Sequence, residues 1–97
     1  MMMHMDVFQV IADPTRRKVL AALRGGEQPV GVIVDRVGIH QSGVSRHLAI
    51  LLEAGFVNVR ARGAHRFYAL RGEPFRQLAG WLARYRGHWE RRPVAQR

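Results

Sequence analysis

The sequence predicts a mainly α-helical domain that carries one small β-hairpin. Three observations lead there. Apolar stripes at helical spacing are separated by glycine and proline stops, two β-rich runs flank Gly63-Ala64, and the last helical pattern is dense in aromatic residues.

The N-terminal stretch holds a short apolar patch, Val7, Phe8, Val10 and Ile11, followed by Ala12-Asp13-Pro14-Thr15. Asp13 before Pro14 is a strong helix start. The carboxylate accepts an orphan amide, and proline at the first helical position loses no hydrogen bond. The helix it opens places Val19, Leu20 and Leu23 on one face and ends at Gly25-Gly26. Arg16, Arg17 and Lys18 crowd its first turn against the helix dipole. Such placement suggests a task other than helix stability, with phosphate as one candidate and plain solvation as the other.

Pro29 opens the next helix, in which Val30, Ile33, Val34 and Val37 form a single stripe and Gly38 ends it. After the link Gly38-Ile39-His40-Gln41, Ser42 is placed to cap a further helix. Its apolar positions are Val44, Leu48, Leu51 and Leu52, and it ends at Gly55. Two short helices joined by a few residues form a helix-turn-helix, whose second helix is free to enter a DNA groove.

From Phe56 the period changes. Phe56 to Arg62 and His65 to Leu70 read as two strands around a glycine turn. In the first, Val57, Val59 and Ala61 share one face and Asn58, Arg60 and Arg62 the other, while Phe67 and Tyr68 give the second its aromatic bulk. A basic hairpin directly after a helix-turn-helix is a wing. Arg60, Arg62 and Arg66, with His65 beside them, are expected at its tip, facing phosphate or a minor groove.

Gly72-Glu73-Pro74 starts the last helix, with Phe75, Leu78, Ala79, Leu82, Tyr85 and Trp89 along one face and Trp81 beside it. That much aromatic surface calls for a partner. The expected dimer interface is Val7, Phe8 and Ile11 from the N-terminal patch with Leu78, Trp81, Leu82, Tyr85 and Trp89. The fold expectation is thus a winged helix-turn-helix dimerising through its N- and C-terminal helices. Residues 1–92 form one DNA-binding domain and 93–97 a flexible tail, with no internal repeat.

Composition narrows the function. The 97-residue chain is 47% hydrophobic and carries a formal net charge of +9, with Lys18 its lone lysine. For a cytoplasmic domain, the commonest polyanion able to match that charge is nucleic acid. The start lacks the basic and apolar pattern of a secretory signal, and no apolar run reaches the roughly 18 to 20 residues that span a bilayer. The expected location is cytoplasmic, with no membrane partner. Cysteine is absent, which removes disulfides, thiolate metal sites and thiol sensing together. Ser45 and His47 do not make a catalytic pair, because an i, i+2 spacing on a helix diverges and no acid is placed to orient the imidazole. No phosphate loop, paired-carboxylate site or deaminase-type zinc signature occurs. The chain is therefore read as a non-enzyme without cofactor.

The first turns of the second helix present Gln41, Ser42, Gly43, Ser45, Arg46 and His47. Gln41 suits adenine, and Arg46 suits guanine or phosphate. Gly43 permits close backbone approach. His40 in the turn is read as solvated or structural.

These residues resemble the ArsR-type winged-helix repressors of bacteria. The resemblance runs from Ala12-Asp13-Pro14-Thr15-Arg16, through Ser42-x-x-Ser45-x-His47-Leu48-x-x-Leu51-x-x-x-Gly55-Phe56-Val57, to Gly63-x-x-x-x-Tyr68-x-Leu70. It implies DNA contact by Ser45 and His47. The Trp81-Leu82-x-x-Tyr85-x-x-x-Trp89 ending is similar to the metal-independent branch, whose members are often autorepressors encoded beside a small partner gene. Members that sense arsenite, cadmium or lead carry cysteines, and here Val30 to Val37 holds no metal ligand. Others bind zinc, nickel or cobalt through paired ligands on the last helix, where this chain has only His88 and Glu90 at i and i+2, with His4 as a remote third.

The resulting expectation is a homodimeric repressor that binds double-stranded DNA at a palindromic operator without metal sensing, its effector or partner protein unknown. Its rivals are a protein-interaction module using the Trp81, Tyr85 and Trp89 face, a metal-responsive repressor of the same family, and sequence-independent DNA compaction.

Overall fold

The computed structural model describes residues 5–90. His4 and the expected 93–97 tail lie outside the described residues. Six helices and three strands follow in the order α1 (Val7–Ile11), α2 (Pro14–Ala22), β1 (Gln28–Pro29), α3 (Val30–Val37), α4 (Gln41–Glu53), β2 (Val57–Arg62), β3 (His65–Leu70), α5 (Glu73–Ala83) and α6 (Arg86–Trp89). The architecture is a winged helix-turn-helix: α3 and α4 are the two helices of the motif, and β2 and β3 are the wing.

The apolar patch at the N-terminus is itself a short helix. Asp6 and Gln9 cap it reciprocally, the Gln9 amide donating to the Asp6 carboxylate at 2.9 Å and the Asp6 amide to Gln9 Oε1 at 2.9 Å. Asp13 then starts α2, accepting from the amides of Thr15 at 2.8 Å and Arg16 at 3.0 Å. Those amides, Arg16 first, hold the Asp13 carboxyl below the usual carboxylate range.

The cations that crowd the first turn of α2 are explained here for two of the three. Arg16 is buried, and its Nε donates to Val10 O at 2.9 Å and its Nη2 to Gln9 O at 3.3 Å. Arg17 Nη1 donates to Ile11 O at 2.6 Å. Both close orphan carbonyls at the end of α1. Arg36 does the same for α2, donating to Ala22 O at 2.8 Å. The phosphate task offered as one candidate gives way to this structural one for the buried Arg16.

Phe56, Leu23, Ile33, Leu48, Leu51, Val10, Val19, Val44 and Val57 are fully buried and form the centre of the core. The stripes of α2 and α3 point into it as their period requires. Leu52, expected on the apolar stripe of α4, is 40% exposed and faces the wing side instead. Gly38, at φ +81°, ends α3 in the left-handed conformation and opens the turn to α4. The second helix begins at Gln41 with His40 at its N-cap and no side-chain cap, so Ser42 lies in the first turn rather than capping it.

Strand order is β1-β3-β2, antiparallel throughout. Val57 pairs with Leu70 and Arg62 with His65, leaving Gly63-Ala64 as a two-residue loop. A positive φ at Gly63 alone is the arrangement of a type II′ turn. The two-residue β1, which has no periodic signal of its own, pairs Gln28 with Tyr68 and Pro29 with Phe67.

The last helix is broken. α5 stops at Ala83, and α6 resumes at Arg86 after Tyr85, whose backbone leaves helical geometry at φ −106°, ψ 8°. The single long apolar face expected from Phe75 to Trp89 is therefore two shorter ones. Phe75 packs edge to face on Phe56, centroids 5.4 Å apart, which anchors α5 to the core.

Two substitutions test the α1–α2 joint. Asp13→Ala should cost about 0.5 to 2 kcal/mol as a lost N-cap. Arg16→Met, which keeps the stem but strips the buried Val10 carbonyl of its donor, should cost about 1 to 3 kcal/mol in denaturant unfolding. A cost near zero for Arg16→Met would mean that the Val10 carbonyl is satisfied by water.

Candidate nucleic-acid interface

The exposed faces of α4 and the wing border one groove of about 610 Å³. Gln41, Ser45, Ala49 and Leu52 line it from α4, Ala64, His65, Arg66 and Tyr68 from the wing, and Pro29, Val30 and Gly31 from the start of α3. The α4 residues recur at helical spacing and form one stripe facing the wing. Ser42 and Arg46 are exposed beside that stripe. The N-terminus of α4 lacks a side-chain cap, so its first amides stay available to an anion.

Four of the expected base-reading residues, Gln41, Ser42, Ser45 and Arg46, are thus exposed together on the first turns of α4. Gly43 is half-buried and its bare face lies against the turn: a Cβ there would meet Ile39 Cδ1 at 3.1 Å. Its smallness serves the packing of the turn against the helix.

His47 differs most from expectation. Only 8% of it is exposed, and its Nδ1 is buried without a hydrogen-bond partner. It follows Val44 at i+3 and precedes Leu51 at i+4, so it belongs to the inward stripe of α4, where a histidine was not counted as apolar. Ser45 and His47 accordingly lie on different sides of the helix.

The wing arginines are also divided. Alternation along β2 and β3 puts Arg66 on the same face as Val57, Val59, Ala61 and Tyr68, toward the groove, and Arg60, Arg62, His65 and Phe67 on the other. Arg62 and His65 pair at the tip. Arg60 is set back from it, opposite Phe67, and its guanidinium is held by Glu27 at 2.6 and 2.8 Å. The expectation of three arginines at the tip therefore fails for Arg60. Glu27, in the segment before β1, was not singled out in the sequence, because its partner lies 33 residues away.

Outside that groove an aromatic row crosses from α1 to α5. Phe8 meets Trp81 edge to face at 5.1 Å, and Trp81 meets Tyr85 at 5.1 Å. Phe8, Trp81, Leu82, Tyr85 and Trp89 are each 40–48% exposed, whereas Val7, Ile11 and Leu78 are half-buried. No three His, Cys, Asp or Glu residues cluster as metal ligands among the described residues. His88 is exposed on α6, and Glu90 pairs with Arg86 at 3.4 Å. No helix among the described residues is long and apolar enough to cross a membrane.

Burial pushes the His47 imidazole below its ordinary value; the Asp13 carboxylate opposes that, and Arg16 and Arg46 reinforce it. The fold therefore keeps the ring neutral. Since the unfolded chain binds this proton more readily, stability is full above about pH 6.5 and declines as pH falls toward the lowered folded value. His47→Leu should flatten that decline, read from urea unfolding at about pH 5 and about pH 7.5. An unchanged slope in the variant would remove His47 as its cause.

Comparison with known proteins agrees with this fold. A family model described as a helix-turn-helix domain matches residues 11–60. The chain is 32% identical over 80 residues to the transcriptional repressor SdpR of Bacillus subtilis, covering 82% of this chain and 89% of that one. It is 41% identical over 73 residues to the regulator KmtR of Mycobacterium tuberculosis, covering 75% and 56% of the two chains. With a probable mercury resistance operon repressor of Streptomyces lividans it shares 39% over 67 residues, 69% and 53% of the two. The chain thus spans about half the length of the latter two relatives. Among solved structures, an ArsR family transcriptional regulator superposes with a TM-score of 0.74 at 32% identity over 89% of each chain. A homodimeric winged helix-turn-helix DNA-binding domain from Mycobacterium bovis superposes at 0.68 with 25% identity, over 86% of this chain and 78% of that one. The protein therefore belongs to the ArsR-type winged helix-turn-helix family of DNA-binding transcriptional regulators.

Proposed function

We propose that the protein is a transcriptional repressor that binds a palindromic operator as a homodimer and releases it by a signal other than a metal ion. The observation that carries this reading is the shared groove, in which one wall is the exposed, uncapped first turns of α4 and the other is the wing with Arg66 turned inward. Gln41 and Arg46 read base edges, Ser42 and Ser45 bond to bases or phosphates, and Arg62, His65 and Arg66 grip the backbone. Gly43 contributes by letting the turn pack closely.

The homodimer rests on the aromatic row of α1, α5 and α6. Phe8, Trp81, Leu82, Tyr85 and Trp89 are large apolar side chains each 40–48% exposed, with Val7, Ile11 and Leu78 half-buried on the same helices, and such exposure is what a partner would cover. The M. bovis neighbour is described as homodimeric, which supports the same arrangement here. Two recognition helices then meet successive major grooves roughly 34 Å apart. Metal independence is supported by the donor set, since the chain has no cysteine and Glu90 pairs with Arg86.

Operator affinity, measured by fluorescence anisotropy over a salt series, should fall steeply with salt. Arg62→Ala and Arg66→Ala should each lower the slope of log K against log salt by about 0.9. Gln41→Ala should cost about 1 to 3 kcal/mol on the operator and little on random duplex. Equal losses on both duplexes would reduce Gln41 to a positioning contact. Trp81→Glu should convert a dimer to a monomer in light scattering; a wild-type monomer would end the dimer proposal.

A further inference from the structure

Arg60 and Glu27 make the one bidentate ion pair among the described residues, Nε to Oε2 at 2.6 Å and Nη2 to Oε1 at 2.8 Å. The guanidinium carbon also lies 5.5 Å from the centroid of Phe67. Phe67 in turn is the pairing partner of Arg60 on one side and of Pro29 on the other. The pair therefore closes a row across all three strands and ties the segment before β1, whose own pairing is only two residues long, to the base of the wing.

A carboxylate offers the arginine fork the same two-oxygen geometry that a phosphate does. A phosphate approaching Arg60 would meet the Glu27 carboxylate beside it, and the two like charges repel. Arg60 also stands on the wing face opposite Arg66, set back from the Arg62–His65 tip. The Arg60 hydrogen bond, first among its causes, holds the Glu27 carboxyl below its ordinary value.

We propose that Glu27 is a positioning residue for DNA recognition: it takes the Arg60 guanidinium in place of phosphate, sets the stance of the wing, and reserves backbone contact for Arg62 and Arg66. The proposal rests on the DNA-binding reading above. It makes Arg60 a structural cation and Glu27 a guard against one indiscriminate phosphate contact.

The test compares wild type, Glu27→Gln, Arg60→Gln and the double variant, each first checked for an unchanged unfolding midpoint, on operator and random duplex across a salt series. Arg60→Gln should leave the salt slope as in wild type while weakening operator binding about two- to fivefold, the range of an exposed ion pair. Glu27→Gln should steepen the slope by about 0.9 per protomer as the freed arginine takes a phosphate. It should also tighten binding to random duplex and so narrow the discrimination between the two. The double variant should return the slope to the wild-type value.

A slope lowered by about 0.9 in Arg60→Gln, with Glu27→Gln unchanged, would overturn the proposal, because Arg60 would then leave Glu27 for the DNA. Wild-type slopes and affinities in all three variants would overturn it equally. The DNA-binding reading fails separately, if the wild type binds no duplex with a salt-dependent affinity or if Arg62→Gln with Arg66→Gln leaves its slope unchanged.

Discussion

The fold depends on how a short first helix is joined to the second. α1 is too short to hold itself, and the carbonyls at its end take donors from α2, of which only the bond at Val10 is fully buried. Arg16 supplies the missing donors from inside, while Asp13 supplies the acceptor that starts α2. One turn thus satisfies the end of one helix and the beginning of the next. Because α1 also packs on α5, the same joint places Phe8 beside Trp81, and so builds the aromatic row outside the groove.

The same economy runs through the basic residues. A net charge of +9 suggests a surface given over to phosphate, yet Arg16, Arg17 and Arg36 close helix ends and Arg60 is neutralised by Glu27. Arginine suits this work because its planar fork reaches two acceptors and stays charged when partly buried. The cations left on the groove and the wing tip are Arg46, Arg62 and Arg66. The cations on the groove and the wing tip are thus a subset of the basic residues, set apart by their place in the fold from those that hold helix ends or pair with Glu27.

Most of the architecture was legible because it follows from local rules. Asp13-Pro14, Gly38 and Gly63-Ala64 each mark a boundary by backbone chemistry alone, and the stripes of α2, α3 and α4 mark buried faces by period. The differences arose where a local rule met a long-range one. Ser42 is a good cap by type, but the turn places His40 there. Leu52 fits the stripe by spacing, yet it sits where the wing leaves α4 open. The α5–α6 break has no proline or glycine at Tyr85 to announce it.

What the sequence alone determined is the order of elements, the helix-turn-helix followed by its wing, and the polar face that α4 exposes at Gln41, Ser42, Ser45 and Arg46, because hydrophobic period and turn residues act within a few positions of each other. Only the tertiary structure decided which polar side chains stay outside. It turned His47 inward between Val44 and Leu51, divided the wing arginines between two faces, and brought Glu27 onto Arg60. The reason is physical: a hydrogen bond or ion pair between residues far apart in the chain leaves no periodic trace, since its geometry exists only once the strands and helices have packed.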